Sequence, residues 1–156
     1  MGEAIGRAAT DSPVVQWERR GGVLVVTLDD AGSRNAIGPD VNPTITRVLA
    51  AAGDDPDVRA VVLTGANGYF SAGGNMRALR RTVEMSPSER IEVTDRLAAM
   101  IRTVRALPKP VIAAVEGGAA GIGFALALAC DLVVAARDAR FAAAQVRLGL
   151  TPDGGI

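Results

Sequence analysis

Histidine is absent from this chain of 156 residues, and cysteine occurs once, at Cys130. The first absence excludes a Ser-His-Asp or Cys-His catalytic device built within the chain. Together they leave a zinc site only carboxylates and one thiolate to draw on, so no metal is expected. A single cysteine also excludes an internal disulfide. Aromatic residues make up only 3% of the chain, and 17 basic residues are balanced by 17 acidic ones. Without a basic excess the chain does not read as a nucleic-acid binder. Long hydrophobic runs are missing too. The longest uncharged apolar stretch, residues 117–130, is broken by glycines and is too short to span a bilayer. The first residues, MGEAIGRAATDSP, lack the apolar core of a signal peptide. The expectation is a cytoplasmic protein with no membrane partner. Acid–base chemistry then falls to Asp, Glu, Lys, Tyr, Cys or water.

What is present is apolar content of 49%, enough for one domain with a real core. Residues 1–13 read as a loose tail and 14–156 as a single domain. The runs 14–18 and 23–28, joined by Arg19-Arg20-Gly21-Gly22, predict a hairpin. A helix is expected from 39 or 40 to 53, with Val41, Ile45, Val48, Leu49 and Ala52 on one face and Pro43 tolerated in its first turn. A buried strand follows at 58–64, then a glycine turn at 70–76 (FSAGGNM) and a short helix bearing Arg77, Arg80 and Arg81. Residues 88–107 form the longest predicted helix, with Val93, Leu97, Met100, Ile101, Val104 and Leu107 at helical spacing. Beyond a strand at 141–144 and a connection at 145–150, Thr151-Pro152-Asp153-Gly154 looks like a helix start. The alternation predicts an α/β fold of stacked ββα units.

The chain is organised around residues 111–136, VIAAVEGGAAGIGFALALACDLVVAA, which read as strand, glycine turn, buried helix and strand. Free N–H groups at the start of that helix suit a developing negative charge; a tightly packed crossover, with glycines only for close contact, is the alternative. A dinucleotide fingerprint is excluded, because the pattern begun at Gly121 requires glycine at 126 and finds Leu126. FSAGGNM and GGAAGIGF each end a strand and open a helix, and two backbone donors converging on one oxygen would make an oxyanion hole.

This pairing resembles the crotonase superfamily, the enoyl-CoA hydratase/isomerase family. The resemblance is carried by RNAIG (34–38), VVLTGANGYFSAGGNM (61–76), LPKPVIAAVEGGAAGIGFALALACDLVVAA (107–136) and ARFAAAQVRLGLTPDGG (139–155), in that order. It implies a crotonase-like spiral of ββα units and an acyl-coenzyme A thioester as substrate, coenzyme A entering as part of the substrate with no permanently bound cofactor. The oxyanion-hole donors it implies are the N–H groups of Gly74 and Ile122. Arg34, Ala36 and Ile37 match the loop at the CoA adenine end. Ala72, Gly73, Gly74, Asn75 and Met76 flank the pantetheine arm, and Gly121 and Ala125 are further CoA- or substrate-binding positions. Where family hydratases carry two glutamates, this chain has Ala125 and Gln145, neither a carboxylate base. Asp153 matches an aspartate used by family isomerases and dehalogenases; capping a following helix is its structural alternative. The FSAGGN and LTPDGG pair is similar to the ring-epoxide and oxepin-CoA isomerase branch of aromatic-acid degradation. Family members continue past the PDGG motif into helices that complete the pocket and build trimers, so the resemblance implies a homo-oligomer, trimer or hexamer, when such helices are supplied. The expectation is enolate stabilisation for isomerisation; a strict hydratase and an inactive CoA-binding or assembly subunit are the alternatives. Of the remaining candidates, Asp131 is expected to accept a structural hydrogen bond, Cys130 to be a small core residue and Glu116 to be a turn or interface residue. Arg77, Arg80 and Arg81 face either CoA phosphates or solvent, and Lys109 lies near the nucleotide or is simply exposed.

Overall fold

The computed structural model describes residues 5, 6, 8, 9 and 11–156. Strands β1 (Val15–Arg20) and β2 (Val23–Leu28) form the expected hairpin. Helix α1 (Val41–Asp54), strand β3 (Ala60–Gly65) and the short helix α2 (Met76–Arg81) follow. Then come the long helix α3 (Pro87–Ala106), strands β4 (Val111–Val115) and β5 (Gly118–Ala120), and helix α4 (Ile122–Ala129). Strands β6 (Leu132–Ala135) and β7 (Arg140–Ala142) and a 3₁₀ turn (Ala144–Leu148) complete the order.

The main sheet runs β1-β2-β3-β4-β6. Only the β1–β2 pair is antiparallel; Leu24 then pairs with Val61, Leu63 with Ala113 and Ala113 with Val133 in parallel register. Parallel neighbours require crossovers, which α1, α2 with α3, and α4 supply. Leu24, Val26 and Leu28 on β2, Val61 and Leu63 on β3, and Val111, Ala113 and Val115 on β4 are all buried, at period two. They meet the predicted stripe of α1, whose Val48, Leu49 and Ala52 are 0% exposed. Helix α3 begins with a capping box, Ser86 Oγ accepting from Glu89 N–H and Glu89 Oε2 accepting from Ser86 N–H, with Pro87 in the first turn. Its apolar stripe divides by environment: Met100, Ile101 and Val104 enter the core, whereas Val93 and Leu97 line a cavity. No helix of the described residues is long and apolar enough to cross a membrane.

Four expectations are corrected. The segment 1–13, read as a loose tail, is anchored at its end: Ser12 is buried, its N–H donates to Thr44 Oγ1 at 2.8 Å, and its hydroxyl donates to Asp40 at 2.6 Å. Residues 1–4, 7 and 10 of that segment lie outside the described residues. Part of the expected glycine turn is the strand β5, paired in parallel with β7, so that α4 starts at Ile122. The connection at 145–150 is largely 3₁₀ turn. No helix forms at 151–156, because Gly154 and Gly155 take φ of +62° and +91°, outside the right-handed helical region.

Lys109 is half-buried rather than simply exposed. Its ammonium donates to the carbonyls of Ala52 and Asp55, capping the end of α1. Asp131 behaves as read: its carboxylate accepts from Val111 N–H at 2.8 Å while its own N–H donates to Val111 C=O. Strand β6 ends the sheet with apolar side chains in the open, Leu132 at 60% and Val134 at 63% exposure.

The core assignment makes a paired prediction. Leu49→Ala should lower unfolding free energy by about 2–5 kcal/mol in urea titrations, through lost transfer energy and a residual cavity. Ile91→Ala, on the exposed half of α3, should change it by less than about 0.5 kcal/mol.

Candidate active site

Two chain reversals meet where β3 and β4 end. The first, residues 70–75, leads into α2; the second, 116–121, leads into α4. Ser71 N–H donates to Gly118 C=O at 3.1 Å and Ser71 C=O accepts from Ala120 N–H at 3.0 Å, which latches one reversal to the other. Ser71 is fully buried, and its hydroxyl donates to Asn35 C=O at 2.8 Å. Asn35, also buried, extends the tie: its amide donates to the carbonyls of Ala66 and Tyr69, and its carbonyl accepts from Asp30 N–H. Neither Asn35 nor Ser71 stood out in the sequence as an organising residue. The positive φ of Asn35, +59°, is a local signal, since asparagine tolerates that region better than most residues.

Next to the latch, Ile37 N–H donates to Gly73 C=O and Asn75 N–H donates to Ile37 C=O. These two bonds bracket Gly74 and leave its own N–H out of the pairing. Asn75 caps α2, its side-chain oxygen accepting from Arg77 and Ala78 N–H. Across the latch, Gly121 (φ +50°) starts α4, and Ala125 N–H returns to Gly121 C=O. The Ile122 N–H, one position into the helix, has no intrahelical acceptor. Both Gly74 and Ile122 line one cavity of about 320 Å³, within the size range of small-molecule sites.

That cavity gathers Ile37, Ala72, Gly73, Gly74, Asn75, Met76, Gly121, Ile122, Gln145 and Asp153 from four separate segments. Met85, Val93, Leu97, Leu148 and Leu150 give it an apolar wall, with Arg81 and Arg96 also at its lining. Asp153 is the one carboxylate among the described residues that line it. Asp153 Oδ1 accepts from Gln145 Nε2 at 2.7 Å. Gln145 is 7% exposed and its Oε1 has no partner among the described residues. Residues 151–156 form no helix, and no capping bond to the Asp153 side chain is seen among them.

Three expected site residues do not line this cavity. Ala125 is 0% exposed and does not line the cavity; a Cβ on Gly154 would come within 2.6 Å of its methyl group, so Ala125 seats the PDGG turn on α4. Arg34 is exposed and outside the cavity, its guanidinium 5.9 Å from the Tyr69 ring centroid. Ala36 N–H donates to Ser33 Oγ, and Ala36 is not among the lining residues, although its neighbour Ile37 is. Of the arginines on α2, only Arg81 reaches the lining. Cys130 is buried, and its thiol is pushed up to about 12 by burial and, secondarily, by the charge of Asp131. It is therefore neutral at pH 7, and thiol reagents should label it only after unfolding.

The closeness of the two reversals is testable by adding one carbon. A Cβ at Gly73, where φ is +99°, would sit 2.7 Å from Ala120 C=O, whereas one at Gly74 meets nothing within 4 Å. Gly73→Ala should cost at least about 1–3 kcal/mol of stability in urea titrations. Gly74→Ala should cost less than about 0.5 kcal/mol.

The enoyl-CoA hydratase/isomerase family profile matches residues 18–156. The chain is 36% identical over 137 residues to the 1,2-epoxyphenylacetyl-CoA isomerase of Escherichia coli, covering 86% of this chain and 52% of that protein. It is 34% identical over 142 residues to the enoyl-CoA hydratase EchA19 of Mycobacterium tuberculosis, covering 88% and 52%. The crystal structure of an enoyl-CoA hydratase from Polaromonas sp. JS666 superposes with a TM-score of 0.86 at 43% identity, over 90% of this chain and 55% of that one. The chain thus spans about half the length of the curated relatives it matches. With the fold, the order of the motifs and the profile in agreement, this chain belongs to the enoyl-CoA hydratase/isomerase family and carries part of its crotonase fold.

Proposed function

We propose that the protein binds an acyl-CoA thioester, stabilises its enolate between the N–H groups of Gly74 and Ile122, and isomerises the acyl group by proton transfer through Asp153. The carrying observation is that Asp153 is the single carboxylate, among the described residues, lining the cavity that those two residues share. Abstraction of the α-proton breaks a C–H bond, forms an O–H bond on Asp153 and sends the electron pair to the thioester oxygen. Two backbone donors held by neighbouring structure stabilise that oxygen without having to reorganise. Returning the proton to a different carbon completes an isomerisation with one proton carrier. Hydration of a double bond also requires a group to activate water; Gln145 and the buried Ala125 supply no carboxylate for it. The E. coli relative, named as an isomerase of an epoxyphenylacetyl-CoA, supports the isomerase branch. Residues 72–76 would border the pantetheine arm, with Arg34, Ala36 and Ile37 toward the adenine end.

Nuclear magnetic resonance of phenylacetyl-CoA and butyryl-CoA in heavy water tests this reading. Exchange of the α-protons is expected, and Asp153→Asn should slow it by about 100-fold or more while CoA still binds. Full exchange in Asp153→Asn would remove Asp153 from the mechanism. Rapid water addition to crotonyl-CoA by the unaltered protein would favour the hydratase reading instead.

A further inference from the structure

Gln145 is a polar side chain more than nine-tenths buried at the cavity wall, and only half of its amide is used: Nε2 donates to Asp153 Oδ1 at 2.7 Å, while Oε1 is buried without a partner among the described residues. An ionised carboxylate can only accept hydrogen bonds, so the NH₂ end of the amide must face Asp153. The free carbonyl end then lies beside Gly121, 3.9 Å from where a Cβ on that residue would stand. The 3₁₀ turn that carries Gln145 holds it in place: Leu150 N–H and Gly149 N–H both close back onto it, Leu150 bonding Gln145 C=O at 3.1 Å. Asp153, by contrast, is on an exposed stretch with no regular structure, and its 2.7 Å bond to Gln145 ties it to the buried, hydrogen-bonded part of the wall.

We propose that Gln145 is the positioning residue for Asp153: by occupying Oδ1 from a buried, fixed amide, it leaves Oδ2 as the oxygen that takes and returns the substrate proton. This rests on the enolate reading given above and goes beyond it by dividing the two oxygens of the carboxylate between two tasks. The α-proton moves to Oδ2 as the C–H electron pair moves to the thioester oxygen, and Oδ2–H gives it back as that pair returns. The Gln145 N–H stays on nitrogen throughout. A carboxylate held by one oxygen presents the other in a single direction, whereas an untethered one on this exposed segment samples several rotamers.

Two substitutions of similar length separate this from a merely structural role. Gln145→Met keeps the bulk and removes the donor. It should lower the rate constant for α-proton exchange of phenylacetyl-CoA about 10-fold or more, with KM and the affinity for CoA within about twofold, since the change affects the step and not the uniform binding. Gln145→Glu keeps the shape but replaces the donor with an acceptor beside Asp153, and should exchange more slowly still. Exchange by Gln145→Met within about twofold of the unaltered protein overturns the proposal. So does faster exchange by Gln145→Glu, which would make position 145 a proton carrier, and so does a fall in exchange that only tracks lost CoA affinity and thermal stability in both variants. Absence of exchange in the unaltered protein overturns the enolate reading, and this inference with it. Exchange that is lost in Asp153→Asn but intact in Gln145→Met overturns this inference alone.

Discussion

The structure depends on how Ser71 joins two backbone reversals. Its N–H and C=O bond to Gly118 and Ala120, its hydroxyl bonds to Asn35 C=O, and Gly73 N–H donates back to that hydroxyl at 3.2 Å. Gly123, in the first turn of α4, lies so close that an added Cβ would stand 2.6 Å from Ser71 Cβ. Every polar group of a fully buried residue is thus used to hold the ends of β3 and β4 together, where an unmade bond would cost about 1–3 kcal/mol. With these groups fixed, Gly74 and Ile122 are brought to one cavity by backbone alone, and the oxyanion hole proposed above would need no flexible side chain to place its donors.

The rest of the chain serves that placement. The parallel strands β3 and β4 end at the same level because their register pairs Val61 with Val111, and α1 and α3 pack together over the sheet they span. Helix α3 contributes twice, to the core through Met100 and Val104 and to the cavity wall through Val93 and Leu97. The small residues late in the chain have a physical reason as well. Ala125 and Gly154 are in contact because neither carries more than a methyl group, and this contact brings the PDGG turn, and Asp153 with it, to the mouth of the cavity.

Much of this was legible in the sequence where periodicity is strong. The hairpin, the stripe of α1 and the buried strands all follow from spacing, and the two glycine reversals follow from composition and motif. The strand β5 was not legible, because Gly118–Ala120 has no strand propensity and pairs with β7 only through tertiary contact. The apparent helix start at 151–154 misled because Pro and Asp favour a helix entry, whereas the following glycines take left-handed φ. The roles of Asn35, Ser71 and Lys109 were hidden for a common reason: each bonds to backbone groups far away in sequence, and neither residue type nor spacing reveals such a partner. The Gln145–Asp153 pair lay in plain view as two residues eight apart, but only the 3₁₀ turn and the irregular segment after it bring them to 2.7 Å.

The central claim is that two backbone donors act on one thioester oxygen. Isotope-edited infrared spectroscopy of butyryl-CoA labelled with ¹³C at the thioester carbonyl measures this directly. If Gly74 and Ile122 N–H both reach that oxygen, the carbonyl stretch of the bound thioester shifts to lower frequency than in water, because hydrogen bonds inside a largely apolar cavity polarise the bond more strongly than solvent does. A bound thioester whose carbonyl absorbs at or above its frequency in water would contradict the account.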